Sequence, residues 1–105
     1  MIGHSQLVPQ VAEMFKLMGD PSRLRILVAC LDEAASVGDI AGQLALSPSL
    51  VSHHLRLLRA ARLVRAERRG KQVFYIVADH HVRDIIVDML DHAAEELDAG
   101  ARRVA

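Results

Sequence analysis

Apolar residues recur at helical spacing from the start of the chain. Val8, Val11, Ala12, Phe15 and Met18 fall three or four apart, which predicts an amphipathic helix over about residues 5–18. Gly19-Asp20-Pro21 breaks the pattern. Asp20 can cap a second helix while Pro21 takes its first position, where a missing N–H does no harm. That helix is expected to reach about Leu31, with Leu24, Leu27, Val28 and Leu31 turned inward. Residues 37–44 then read as a short helix, Ala45-Leu46 as a turn, and Ser47 as the N-cap of a helix to about Ala61 that opens on Pro48. A short helix, a tight turn and a capped helix form a helix-turn-helix signature. Residues 63–68 and 72–77 read as two strands joined at Arg69-Gly70, where glycine supplies the positive φ of a tight hairpin. A last helix covers about residues 80–97, ahead of Gly100. The expected fold is mainly α with a small β-hairpin, in the order α-α-α-α-β-β-α: a winged helix-turn-helix with helices to spare at both ends.

Composition limits this picture in few ways. A length of 105 residues suits a single domain, 1–105, and 51% apolar content supports a packed core. With only 3% aromatics, that core must be built from Leu, Val, Ile and Ala. No uncharged apolar run is long enough for a membrane span, and Met1-Ile2-Gly3-His4-Ser5 lacks the form of a secretory leader, so a cytoplasmic location without membrane contact is expected. Cys30 is the single cysteine and has no internal disulfide partner; its apolar neighbours predict a buried thiol.

Net charge is zero, which taken alone argues against a nucleic-acid partner. The distribution reverses that. Between Ser47 and Lys71 stand seven basic residues (Arg56, Arg59, Arg62, Arg65, Arg68, Arg69, Lys71) and one acid, Glu67, so the middle of the chain carries an excess of six positive charges between acidic flanks. On the capped helix, Val51, Leu55 and Leu58 form the core stripe. Ser49, Ser52, His53 and Arg56 recur at i, i+3, i+4 and i+7 on another face and suit base edges and phosphates in a major groove; Ser47 stands at the helix start. A merely solvated polar face would look the same. The hairpin favours the binding reading, because Arg68, Arg69 and Lys71 crowd like charges at a turn, and an anionic partner relieves them. Double-stranded DNA is the expected partner. Single strands need exposed aromatic platforms, and Phe74 and Tyr75 are nearly all there is, one of them facing the core by alternation.

Six histidines open a second line of chemistry. Asp79, His81, His92 and Glu95 form the pattern D-x-H-x10-H-x2-E. Eleven helical residues turn by about 1100°, only ~20° from a whole number of turns, so the four donors line one edge beside Val82, Ile85, Ile86, Met89 and Ala93. The same eleven residues rise ~16 Å, too far for one ion. A second copy running antiparallel would bring Asp79 and His81 of one chain to His92 and Glu95 of the other, giving two equivalent sites in a homodimer. Two imidazoles and two carboxylates suit Zn(II) or Co(II) and disfavour Cu(I). Scattered surface acids and histidines remain the plainer alternative; Asp84, Asp88 and Asp91 share or flank the edge, and Asp88 with His92 could pair within one helix.

The sequence closely resembles the ArsR/SmtB family of metal-responsive repressors. The match runs through Ser36-Val37-Gly38-Asp39-Ile40-Ala41, Leu46-Ser47-Pro48-Ser49-Leu50-Val51-Ser52-His53-His54-Leu55, Gly70-Lys71-Gln72-Val73-Phe74-Tyr75, Asp79-His80-His81 and Leu90-Asp91-His92-Ala93-Ala94-Glu95. The resemblance implies a homodimer through the first and last helices, binding to a near-palindromic operator, and release when an effector binds. Family sites of the arsenic and cadmium type use cysteines on or near the third helix; here that position is Ser36, and one cysteine also argues against the family's two-cysteine redox sensors. The last-helix pattern matches the zinc-responsive branch. Nickel and cobalt sensors add N-terminal ligands, and His4, in the N-terminal tail, could supply one, so Ni(II) stays open. By resemblance, His92 would also relay the signal to the segment around Arg62. A metalloenzyme is the weaker rival, since the chain has no H-E-x-x-H and little volume for a cleft on a small organic substrate. A winged-helix regulator that ignores metal is the nearer alternative.

Overall fold

The fold is taken from a computed structural model, which describes residues 1–104. Helix α1 (His4–Met18) leads through Gly19 and Asp20 into α2 (Pro21–Ala29), strand β1 (Ala35–Ser36), α3 (Val37–Leu44) and α4 (Pro48–Ala60). Strands β2 (Val64–Arg69) and β3 (Gln72–Val77) follow, and α5 (His80–Val104) ends the described chain. The winged helix-turn-helix order is as expected, with differences in the extent of elements and one added strand. Helix α2 stops two residues early: Cys30 leaves helical geometry (φ −118, ψ 30), and its N–H is shared between the Ile26 and Leu27 carbonyls as the last turn tightens. Helix α5 continues through Gly100. A third strand, β1, joins the hairpin.

Short polar side chains start four helices. The Asp20 carboxylate accepts from the Arg23 N–H at 3.0 Å, Ser36 Oγ from Asp39 at 3.1 Å, Ser47 Oγ from Leu50 at 3.1 Å and Asp79 Oδ1 from Val82 at 3.1 Å. Each meets an N–H that the helix itself cannot satisfy. Two of the closing turns use left-handed residues without glycine: Ala45 (φ 56) between α3 and α4, and Arg62 (φ 60) after α4. At the second, Leu63 N–H donates to the Leu58 carbonyl at 2.8 Å and Arg62 N–H to Arg59 at 3.0 Å, and the buried pair Leu58–Leu63 closes the turn from inside.

The sheet runs β1-β3-β2, antiparallel throughout, with Ala35 opposite Tyr75, Glu67 opposite Phe74 and Arg69 opposite Gln72. Gly70 (φ +62) and Lys71 make the two-residue turn, one residue later than the sequence places it; glycine at the first central position fits a right-twisted hairpin. Val64, Val77 and Tyr75 lie on the face that meets the core, while Phe74 lies on the other.

One apolar cluster joins α2, α3, α4, the sheet and α5 through Ile26, Leu27, Ile40, Leu55, Leu58 and Ile86. Cys30 is fully buried within it, as expected, and burial pushes its thiol up to about 11. Leu27 is buried, but Leu24 and Val28, expected to face inward, stand 36% and 42% exposed. The α1 stripe likewise leaves Val8, Val11 and Phe15 in the open. Those residues follow the helical period yet meet no core within their own protomer.

Candidate DNA-reading head and metal edge

Helix α4 sorts its faces by side-chain type. Val51, Leu55 and Leu58 are buried, and on the same stripe lies His54, 8% exposed, with no hydrogen-bond partner for its Nδ1 among the described residues. Ser49, His53 and Arg56 are exposed and Ser52 half-buried on the opposite face. Ser47 is exposed too, but its hydroxyl is engaged as the cap. Burial and the nearby Arg23 guanidinium hold the His54 imidazole below its ordinary range, against a smaller opposing pull from Asp20. His54 was not singled out by chemistry. Its spacing from Val51, Leu55 and Leu58 (i+3 within the i, i+4, i+7 stripe) is the signal that identifies it as core.

The hairpin carries Arg68, Arg69 and Lys71, all exposed, near or at its tip. Like-charge crowding is less severe than the sequence suggests. Glu67 accepts from Arg69 at 3.1 Å and from Arg65 at 3.4 Å, so part of the anionic partner is internal. The Arg69 guanidinium also lies over the Phe74 ring, 4.8 Å from its centroid. Arg68 Nε donates to the Gly70 carbonyl at 3.4 Å, and among the described residues neither Arg68 nor Lys71 makes an ion pair.

Helix α5 shows its other edge to solvent. Asp79 is the cap just before the helix and lies 3.7 Å from His81 Nδ1; His92 and Glu95 are exposed further along. The Val82 N–H holds the Asp79 carboxyl below its usual range. Among the described residues, no three His, Cys, Asp or Glu side chains in the protomer converge on a point that could hold an ion. His4, expected in a tail, is the first residue of α1. Arg62 is exposed in its left-handed turn, and no hydrogen bond within the protomer joins His92 to that segment among the described residues. Asp84 contacts Arg83 at 3.6 Å, and Arg83 reaches back to Asp32 at 2.7 Å, tying α5 to the segment after α2.

Beside the donors, an apolar groove of about 320 Å³ runs between α1, α2 and α5, lined by Phe15, Leu24, Ile85, Met89, Leu90 and Ala93 among others. Ile85, Met89 and Leu90 are 41%, 61% and 44% exposed. Among the described residues, no helix is long and apolar enough to cross a membrane.

Residues 20–66, the helix-turn-helix with the start of the wing, match the model of the bacterial regulatory protein arsR family. A Synechocystis protein named as a transcriptional repressor SmtB homolog is 43% identical over 86 residues, covering 82% of this chain and 65% of that one. The transcriptional regulator NmtR of Mycobacterium tuberculosis is 35% identical, covering 85% and 74%. The chain thus spans about two thirds of the curated relatives it matches. Among solved structures, the homodimeric winged helix-turn-helix DNA-binding domain of a possible ArsR-family regulator of Mycobacterium bovis superposes with a TM-score of 0.84 at 27% identity, covering 94% of this chain and 95% of that one. With fold, sequence and relatives in agreement, this chain belongs to the ArsR family of bacterial regulatory proteins.

Proposed function

We propose that the protein is a metal-sensing transcriptional repressor that works as a homodimer. The apo dimer binds operator DNA, and metal loading at an interchain last-helix site lowers that affinity. The observation that supports the reading is the state of α5 and its cap: four exposed donors, of which only Asp79 and His81 lie close together among the described residues, on a helix with exposed apolar residues that a partner helix would cover. Asp79 and His81 of one protomer would hold the ion with His92 and Glu95 of the partner subunit. Such a nitrogen and oxygen set fits Zn(II) best, with Co(II) or Ni(II) as alternatives and His4 as an additional ligand for the latter. The ion would supply a cross-link between protomers, fixing the angle between two helices that otherwise pack through apolar contacts alone.

Ser49, Ser52, His53 and Arg56 on α4 are proposed to meet the major groove, with Ser47 at the helix start and Arg68, Arg69 and Lys71 on the flanking backbone or minor groove. Two such heads must lie about one DNA turn apart, ~34 Å, to engage both half-sites. His92 is proposed to couple site to head through its second ring nitrogen and the backbone near Arg62, the C-terminal boundary of the reading helix. Coupling is reciprocal, so DNA must weaken metal binding by the same factor. A repressor of this kind would act in the cytoplasm, and the proposed role calls for no catalysis.

The test is one titration. Fluorescein-labelled operator duplex saturated with apo protein is followed by anisotropy as Zn(II), Co(II) or Ni(II) is added. Release by one of the three supports the reading. Retention of DNA under all three, at metal concentrations where equilibrium dialysis shows binding, leaves the metal-insensitive regulator instead.

A further inference from the structure

The basic segment from Ser47 to Lys71 contains one acid, and the fold puts it in the middle of the wing. Strand pairing sets Glu67 directly opposite Phe74, with Arg65 and Arg69 two residues to either side on the same face. Its Oε1 accepts from Arg65 and its Oε2 from Arg69, while the Arg69 guanidinium rests on the Phe74 ring. The arginines are 59% and 57% exposed and Glu67 34%. Ion pairs this open to water add little to stability, so the fold gains little from the carboxylate. What the carboxylate changes is the field and direction of the arginines: Arg69 sits over the Phe74 ring with one nitrogen of its fork committed to Glu67.

We propose that Glu67 is a specificity-determining residue of the wing, competing with the DNA phosphate backbone for Arg65 and Arg69. A phosphate that approaches Arg69 at hydrogen-bonding distance also comes within several ångströms of the Glu67 carboxylate, and the repulsion opposes contacts made at arbitrary register. A duplex seated by α4 presents its backbone in one fixed position, where the uncommitted edge of the Arg69 fork can be used without breaking the clamp. Random DNA offers no such alignment, so its binding carries most of the cost. This inference rests on the DNA-binding reading above and is independent of metal.

The test compares the apo wild type with Glu67→Gln on operator and on scrambled duplex across a range of KCl concentrations. Glu67→Gln should tighten binding to scrambled duplex by about tenfold at low salt, with a smaller gain on operator, so that the ratio of the two affinities falls. The salt slope on scrambled DNA should steepen by about one for each new phosphate contact. Glu96→Gln, on the last helix, makes the same change in net charge and should leave the ratio unchanged. Phe74→Leu keeps Glu67 but removes the platform for Arg69, and should lower the ratio with no change in charge. Equal effects of Glu67→Gln and Glu96→Gln, or tightening of operator and scrambled DNA by the same factor, would overturn the proposal. Absence of wild-type binding to any duplex would instead sink the DNA-binding reading itself.

Discussion

Met89 projects from the middle of α5 with 61% of its surface exposed, beside Ile85 and Leu90 and facing the groove formed with Phe15 and Leu24. Nothing in its own protomer explains a methionine there. If α5 packs against its symmetry mate, full burial of such a side chain is worth about 1.5–3 kcal/mol, and the share still available from the protomer is about 1–2 kcal/mol. Two-fold symmetry makes every substitution twice, so Met89→Ala should cost the dimer about 2–4 kcal/mol. That converts to roughly a 30- to 700-fold rise in the dimer dissociation constant. Sedimentation equilibrium of the apo protein over nanomolar to micromolar concentrations measures it directly. Val73→Ala, a 39% exposed apolar residue on the wing, serves as the control and should leave the constant alone. A Met89→Ala dimer within threefold of the parent would refute the packing, and with it the assembly of an interchain site.

Further outcomes concern site, surface and core. His92→Ala should keep operator affinity within a few-fold while abolishing Zn(II)-driven release in the anisotropy titration; continued release would remove His92 from the site. Arg56→Ala and Arg69→Ala should each weaken operator binding at least severalfold and leave Zn(II) stoichiometry by dialysis unchanged. The buried His54 makes stability depend on pH: its folded-state pKa lies below the unfolded value, so the unfolded chain takes up more protons as pH falls through 6.5. Its contribution is therefore fully present above that value and is lost as pH drops toward the depressed folded pKa. Urea unfolding at pH 7.5 and 5.5 should show a larger loss for wild type than for His54→Gln, and parallel losses would exclude His54 as the cause. Ala45→Gly relieves a left-handed alanine in the helix-turn-helix turn; its gain, set against the extra backbone freedom of glycine when unfolded, should be about 0.5–1 kcal/mol in the same assay.

The order of elements could be read directly, because the signals are local. Asp20-Pro21 and Ser47-Pro48 start helices by satisfying specific backbone groups, and Gly70 permits a turn that few other residues allow. Strand β1 escaped notice since two residues show no alternation; Ala35 and Ser36 become a strand only because Tyr75 and Phe74 arrive beside them. Leu24 and Val28 obey the helical period and still lie open, as periodicity says which face is apolar but not whose surface will cover it. Arg62 gave no warning of its positive φ; the buried Leu58–Leu63 contact enforces a conformation that its side chain does not favour. Glu67 was visible as a lone acid, but its two arginine partners depend on strand register, which spacing alone leaves open. The donors of the candidate site were identified by helical arithmetic. Their convergence needs a second chain, and no single protomer can display it.

In the proposed site the carboxylate of Asp79 would have two tasks, and the first shapes the second. Because Oδ1 already accepts from the Val82 N–H in the opening turn of α5, this carboxylate is held at one oxygen before any ion arrives. Little rotational freedom is left to lose on coordination at that end of the site, whereas His92 and Glu95 lie mid-helix and must still settle their side chains. In the proposed site one ligand of each set would thus stand ready, and the responsiveness of the pair would be governed by the side chains that have yet to be arranged.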